Sequence, residues 1–483
     1  MRFSPLLAAA FTVLACSSGG SGSDAGSKQD ASSNQDASSN QDGGGSSSST
    51  ARWLEPFEHG LPTNTPNLLV DGKGGVHVAN AVHASSTAMP RYASCPSSCE
   101  NAGQWRYGDI GTGPTTGGSD AHPTIALDAN GHPRVMWVYG GFQEHRWEYA
   151  ACDAEDCSTP GSWEVTELRK GQIAHPHQAG YFAIDPQGLA AYIADPEESQ
   201  ALLYAQCDGT CSNLDSWRSV KISYPEEYAR TFNVGSLKFA GPGQPRAAFV
   251  RQLAYQQYAV SYAQCDGDCL EATNWQKIDL AYAMSNASVS LEIEPNGRVI
   301  LAAVLGSEGD TKGKLALWSC DQSCGDAASW SNVLLSLDPL VPESVALMVD
   351  GKGGLGLAVA GRGPTGSALL HLYVCAQDCL SDSSVWNVGL VDSGEALDKS
   401  DPVPPKAGCT TMGWRYFDDV TAVFHADKVR IAVGAVHVQG GWGRECKTSA
   451  DCIAPGACVN LKCDNDCSPY PDIYMNRLYL LPN

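Results

Sequence analysis

The chain has 483 residues, enough for one large repeat array or several ordinary domains. Its 31 Lys and Arg face 53 Asp and Glu, a net charge of −22. No basic stripe is present to neutralise phosphates, which excludes nucleic acid as a natural partner.

Residues 1–15 read as a secretory signal peptide, with one positive charge at Arg2, a short apolar run, and Ala15 before the cut. That run is too short to span a bilayer. Its end, Val13-Leu14-Ala15-Cys16, resembles the bacterial lipoprotein signal, which implies that Cys16 becomes the lipidated first residue. Leu14 stands where a smaller residue is usual, and an ordinary signal with an incidental cysteine is the alternative. Ser17 after Cys16 implies, by the same resemblance, the outer membrane or cell surface. Lipid at Cys16 is then the sole membrane contact expected. Residues 16–50 are almost wholly Ser, Gly, Asp, Asn and Gln, with Gln-Asp-Ala-Ser-Ser-Asn given twice from Gln29. Such a segment buries no apolar surface and serves as a flexible tether. At roughly 5–6 Å times the square root of its length, it reaches about 30 Å on average.

Residues 51–483 are built on a repeat. The first piece, Arg52-Trp53-Leu54-Glu55-Pro56-Phe57, resembles the last strand of a repeat and has no partners beside it. Then Tyr-Ala-x-Cys-x-x-x-Cys followed by Trp, or a close variant, recurs six times, about 56 residues apart. The cysteine pairs are Cys95-Cys99, Cys152-Cys157, Cys207-Cys211, Cys265-Cys269, Cys320-Cys324 and Cys375-Cys379. Each copy is preceded by a tight turn between apolar runs, as in Leu68-Leu69-Val70-Asp71-Gly72-Lys73-Gly74-Gly75-Val76 or Ile125-Ala126-Leu127-Asp128-Ala129-Asn130-Gly131. Gly and Asn supply the positive φ of such turns, and the runs read as two strands. The Tyr-Ala-x-Cys run is a third strand and the Trp-centred run a fourth.

One repeat is therefore a four-stranded antiparallel meander, and radial repetition of such sheets is the all-β propeller. No window shows a helical apolar period. Tandem sandwich domains would need about 100 residues each. The short Cys pairs, in an exported chain, read as disulfides between the third and fourth strands. A zinc reading lacks a second ligand pair beside each.

A seventh hairpin, Val420–Val433, and a third strand, Asn476–Leu481, lack a Trp strand. The orphan strand at Trp53 completes that blade, so seven blades close by pairing the two ends of the ring. Between second and third strands of blade seven lies a Cys-rich insertion, 446–467. It is too small for its own core and is held by disulfides. Cys409, Cys446, Cys452, Cys458, Cys463 and Cys467 allow 15 pairings, which the sequence does not distinguish. The insertion suits a contact knob, a lid or a structural clasp.

The loops leading into the innermost strands line one mouth of the central channel. They carry His122, His175, His177, Tyr181, Arg230, Glu343 and Asp418. The loops between second and third strands add Glu144, His145, Trp147, Trp442 and Arg444 on the same face. Such a funnel suits a sugar or protein ligand, leaves room for a metal ion, or supports acid–base chemistry. Simple solvated polar residues give the same pattern. No cofactor motif is present, and a monomer is expected.

The Asp-Gly hairpins resemble the turn repeats of sialidase-type propellers. The chain lacks the complete Ser-x-Asp-x-Gly-x-x-Trp box and the Arg-Ile-Pro segment of that group. His122 and His145, one before an inner strand and one about 20 residues on, resemble the layout of propeller polysaccharide lyases. That resemblance implies Tyr181 and Arg230 as catalytic partners. The expectation is a surface-displayed binding module for a glycan or protein, with a polysaccharide lyase or glycosidase as the alternative.

Overall fold

The computed structural model describes residues 50–53, 66–84, 87–96, 99, 102–111, 118–121, 123–141, 145–171, 181–194, 201–223, 231–254, 257–284, 287–306, 314–364, 368–381, 384–393, 410–425, 428–440, 457–459, 462–464 and 472–482. Seven antiparallel sheets form the blades. Blade one is Asn67–Val70, Val76–Ala84, Thr87–Cys95 and Arg106–Asp109, from the inside out. In blade two the innermost strand is broken into Gly118–Ala121 and Thr124–Leu127; Pro133–Gly141, His145–Cys152 and Trp163–Gly171 follow. Blade three is Tyr181–Ile184, Ala190–Ala194, Ala201–Cys207 and Trp217–Ser223. Blade four is Thr231–Phe239, Pro245–Ala254, Gln257–Cys265 and Trp275–Ala283. Blade five is Val289–Ile293, Val299–Gly306, Lys314–Cys320 and Ser331–Ser336, and blade six is Val341–Val349, Leu355–Arg362, Ala368–Cys375 and Asn387–Asp392.

Blade seven is Thr410–His425, Lys428–Gly440 and Asp472–Pro482, completed by Thr50–Trp53. Thr50 pairs with Leu480 and Trp53 with Arg477, the closure that the two orphan strands called for. Within the insertion, Ala457–Val459 and Lys462–Asp464 form a small hairpin. Cys16, Cys409 and the side-chain pairing of the insertion's cysteines lie outside the described residues. Among the described residues, no helix is long and apolar enough to cross a membrane.

The core is distributed around the ring. Seven apolar clusters occupy the seven seams between neighbouring blades. Alternation along each strand explains this: Val76 and Val78 face blade seven, while Ala79 and Ala81 face blade two.

The innermost strands have open edges, and unpaired backbone groups there must find partners. Short polar side chains from the neighbouring blade supply them. Ile125 N–H donates to Asn67 Oδ1, Val345 N–H to Ser288 Oγ, Leu347 N–H to Ser290 Oγ and Val420 N–H to Ser344 Oγ, at 3.0–3.1 Å. Ser236 Oγ donates to Leu291 O, and Thr421 Oγ1 to Pro66 O across the closing seam. The turn glycines Gly131 and Gly297 sit at φ of 83° and 89°, the left-handed geometry that their hairpins need.

Candidate functional site

The ring has two unlike faces. One carries the turns between first and second strands together with the disulfide loops between third and fourth. All six short disulfides are formed there. In five blades the indole N–H of the following Trp donates to the carbonyl of the second cysteine at 2.8–2.9 Å: Trp105, Trp163, Trp217, Trp275 and Trp330. Each such Trp after the first meets the Tyr of the blade before it. Tyr92 lies against Trp163, Tyr149 against Trp217, Tyr204 against Trp275 and Tyr262 against Trp330, with ring centroids 4.9–5.5 Å apart. The repeat motif is thus a joint between blades as well as a staple within one.

Charged groups on this face are already engaged with one another. Arg134 donates to Cys152 O at 3.0 Å, to Asp128 at 2.7 Å and to Asp153 at 2.5 Å. Arg246 does the same with Cys265 O and Asp266, Arg298 pairs with Asp321, and Arg218 with Asp208. Asp128, His132 and Asp153 bring three ligand-type atoms within 4.8 Å of one another. Arg134 already places its positive charge among them and donates to both carboxylates.

The opposite face, the mouth, is irregular. Every register shift among the described strand pairings lies in the half of a blade nearest this mouth. On the innermost strands they fall at Gly118/Asp120, Thr231/Asn233, Val234/Ser236, Pro342/Ser344 and from Thr411 to Val420. Others fall at Gln252/Ala254, Val304/Gly306, Glu167/Arg169, Val260/Ser261 and Leu370/His371. A bulge bends its strand and re-aims side chains, and bulges gather beside functional sites.

Glu343 is the bulged residue of blade six, and its carboxylate pairs with Arg362 at 2.7 Å. Ser344, its neighbour, binds Val420 N–H, so Glu343 and the backbone of Asp418 flank the same seam between blades six and seven. Tyr181 opens the innermost strand of blade three, half-buried, and leans on the cluster between blades three and four. His145 opens the third strand of blade two, opposite Gly140 and Gly171. Trp147, expected at the mouth, is instead buried and stacked on Tyr192 with centroids 5.8 Å apart. The reason is the strand period: two residues beyond His145, the chain has already entered the blade. The side chains of His145 and Asp418, and all of His122, His175, His177 and Arg230, lie outside the described residues.

Two mouth-side arrangements escaped the sequence. Arg362 ends a strand and gave no signal as the partner of Glu343. In blade four, buried Arg251 grips Asp279 through Nε at 2.8 Å and Nη2 at 2.5 Å, and Ser261 donates to the same carboxylate at 2.7 Å. Burial dominates the phenols: it pushes Tyr149 up to about 12, so this ring stays neutral and acts only in packing.

No protein-family model matches the chain, and no curated protein matches it. Among solved structures it is similar to the polysaccharide lyase Uly1 at 10% identity, with 89% of this chain and 92% of that one covered and a TM-score of 0.45. It is similar to an α-L-arabinofuranosidase of Fusarium graminearum at 12% identity, 69% and 98% coverage and a TM-score of 0.45. An ulvan lyase gives 13% identity, 78% and 91% coverage and a TM-score of 0.43. Likenesses this remote carry no argument about chemistry.

Proposed function

We propose that this ring is a recognition module, tethered to the cell surface through lipid on Cys16, that seats a glycan on its mouth face. One observation carries the reading: among the described strand pairings, register shifts fall on the mouth side, while on the disulfide face the bond from indole to cysteine carbonyl repeats in five blades. A ring selected for stability alone gains nothing from irregularity on one side. A binding face on a rigid scaffold needs it. The mouth offers an aromatic ring at Tyr181 and a carboxylate beside a guanidinium at Glu343 and Arg362, groups that bind hydroxyls by donating and accepting in pairs. The net charge of −22 disfavours a highly acidic ligand.

A glycan array reads binding, and a reducing-end and unsaturated-product assay on each positive glycan reads turnover. The expected outcome is binding without turnover. Glu343→Ala should weaken it about tenfold, or about 1.4 kcal/mol. Glu155→Ala, exposed on the opposite face, should leave it unchanged. Turnover abolished by His122→Ala would replace recognition by catalysis, and binding to a protein alone would replace the glycan.

Anchoring has its own test. Mass spectrometry of the mature N-terminus should find acylated Cys16, and Cys16→Ser should move the protein from the membrane to the soluble fraction. A soluble, unmodified wild type refutes the anchor.

A further inference from the structure

At one position of the second strand, opposite the residue that precedes the first cysteine, blades two and four hold Arg134 and Arg246. Each reaches the cysteine carbonyl and the acid after it. Blade one holds His77 there, paired across to Ser94. Its Nε2 lies 3.3 Å from Asp71 Oδ2 and its Nδ1 lies 2.6 Å from Tyr92 Oη. A carboxylate only accepts, so Nε2 carries the proton and Nδ1 accepts from the phenol. Tyr92 in turn is the residue that locks onto Trp163 of blade two. The imidazole therefore sets the hydroxyl of a seam-forming ring.

We propose that the joint between the first and second blades is an acid-sensitive element of the ring, with His77 as its titrating group. Protonation turns Nδ1 into a donor, so the Tyr92 hydroxyl loses the bond it donates and must reverse. It also places a charge in a site whose side chain is 12% exposed. A guanidinium at the same position has no such second state at ordinary pH.

Among the described residues, the surrounding charges are few. From the turn, Asp71 favours the imidazolium, but its carboxylate is already held low by hydrogen bonds from Gly75, Lys73 and His77 against the effect of its burial. Tyr92 and Ser94 face the ring from the third strand. Asp156 of blade two lies beyond Tyr92 and is paired with Arg106 at 3.1 Å. His425 of blade seven lies against Gly74 in the same turn. Burial outweighs Asp71 and holds His77 below the usual histidine value of 6.5. The sign follows: the folded state binds fewer protons than the unfolded chain, so this joint is at full strength above about pH 6.5 and weakens as pH falls through that value.

Hydrogen exchange tests it on the whole protein at about pH 7.5 and about pH 5, with rates corrected for intrinsic chemistry. Amides of Val76–Ala84 and Thr87–Cys95 should lose protection severalfold in acid, while Pro245–Ala254 and Gln257–Cys265, the Arg246 blade, should not. His77→Gln should flatten the difference. Equal loss in both blades, or a difference that survives His77→Gln, overturns the proposal. Should that variant fail to fold, the wild-type imidazole titration decides: a midpoint above 6.5 overturns it equally.

Discussion

Reduction of the six blade disulfides is expected to unfold the ring in urea concentrations that leave the oxidised protein intact. Each bridge closes a loop of four or five residues. In the chain-entropy model a loop of that size contributes about 2 kcal/mol. Six independent loops then contribute about 12 kcal/mol, which matches the whole stability of about 5–15 kcal/mol usual for a folded domain. The bridged cysteines are buried, from 0% to 9% exposed, so reductant acts through opened blades and the samples must reach equilibrium. The measurement is the urea midpoint by tryptophan fluorescence with and without a phosphine reductant. An unchanged midpoint would mean that the loops are held by the indole bonds and the seams alone.

The repeat made the architecture legible because its landmarks fall at strand boundaries. Cys95, Cys152 and their counterparts end third strands, and the Asp-Gly turns end first strands. The seventh blade was legible for a negative reason: Trp53 had no partners near it, and Leu478–Leu481 had no fourth strand. What did not show is the sideways bonding. Tyr92 and Trp163 are far apart in sequence and belong to different repeats, so periodicity places both but does not bring them together. The same holds for Ser344 and Val420.

The site was less legible, for a physical reason. Loop positions around a channel follow from topology, but side-chain direction follows from register, and the mouth is where register shifts. Glu343 was identified as a mouth residue, yet its bulge and its pairing with Arg362 depend on an irregularity that alternation does not anticipate. Trp147 failed the other way, since a regular strand carried it inward.

The joints between blades should also show a measurable hierarchy. Trp275→Ala removes a ring that is 4% exposed, an indole bond of 2.9 Å to Cys269 O, and a contact with Tyr204 at 4.9 Å. The expected cost is about 3–5 kcal/mol, the range for a large aromatic deleted from a core. Blade six provides the contrast. There the Trp follows its second cysteine by one residue more, and the indole of Trp386 binds Ser384 Oγ at 3.0 Å instead of the cysteine carbonyl. Trp386 is only half-buried, and blade five offers it Leu317 in the place of a Tyr. Trp386→Ala should therefore cost less, about 1.5–3 kcal/mol, the worth of partial apolar burial alone. Trp275→Phe keeps an aromatic ring, trims the indole to a phenyl and leaves the carbonyl without its donor, a loss of at least about 1 kcal/mol. In a double-mutant cycle, Trp275→Ala and Tyr204→Leu should show a coupling of about 0.5–1.5 kcal/mol, because each removes one half of the same contact. Additive costs would show that the aromatic pair is a bystander and that the apolar cluster around it holds the seam.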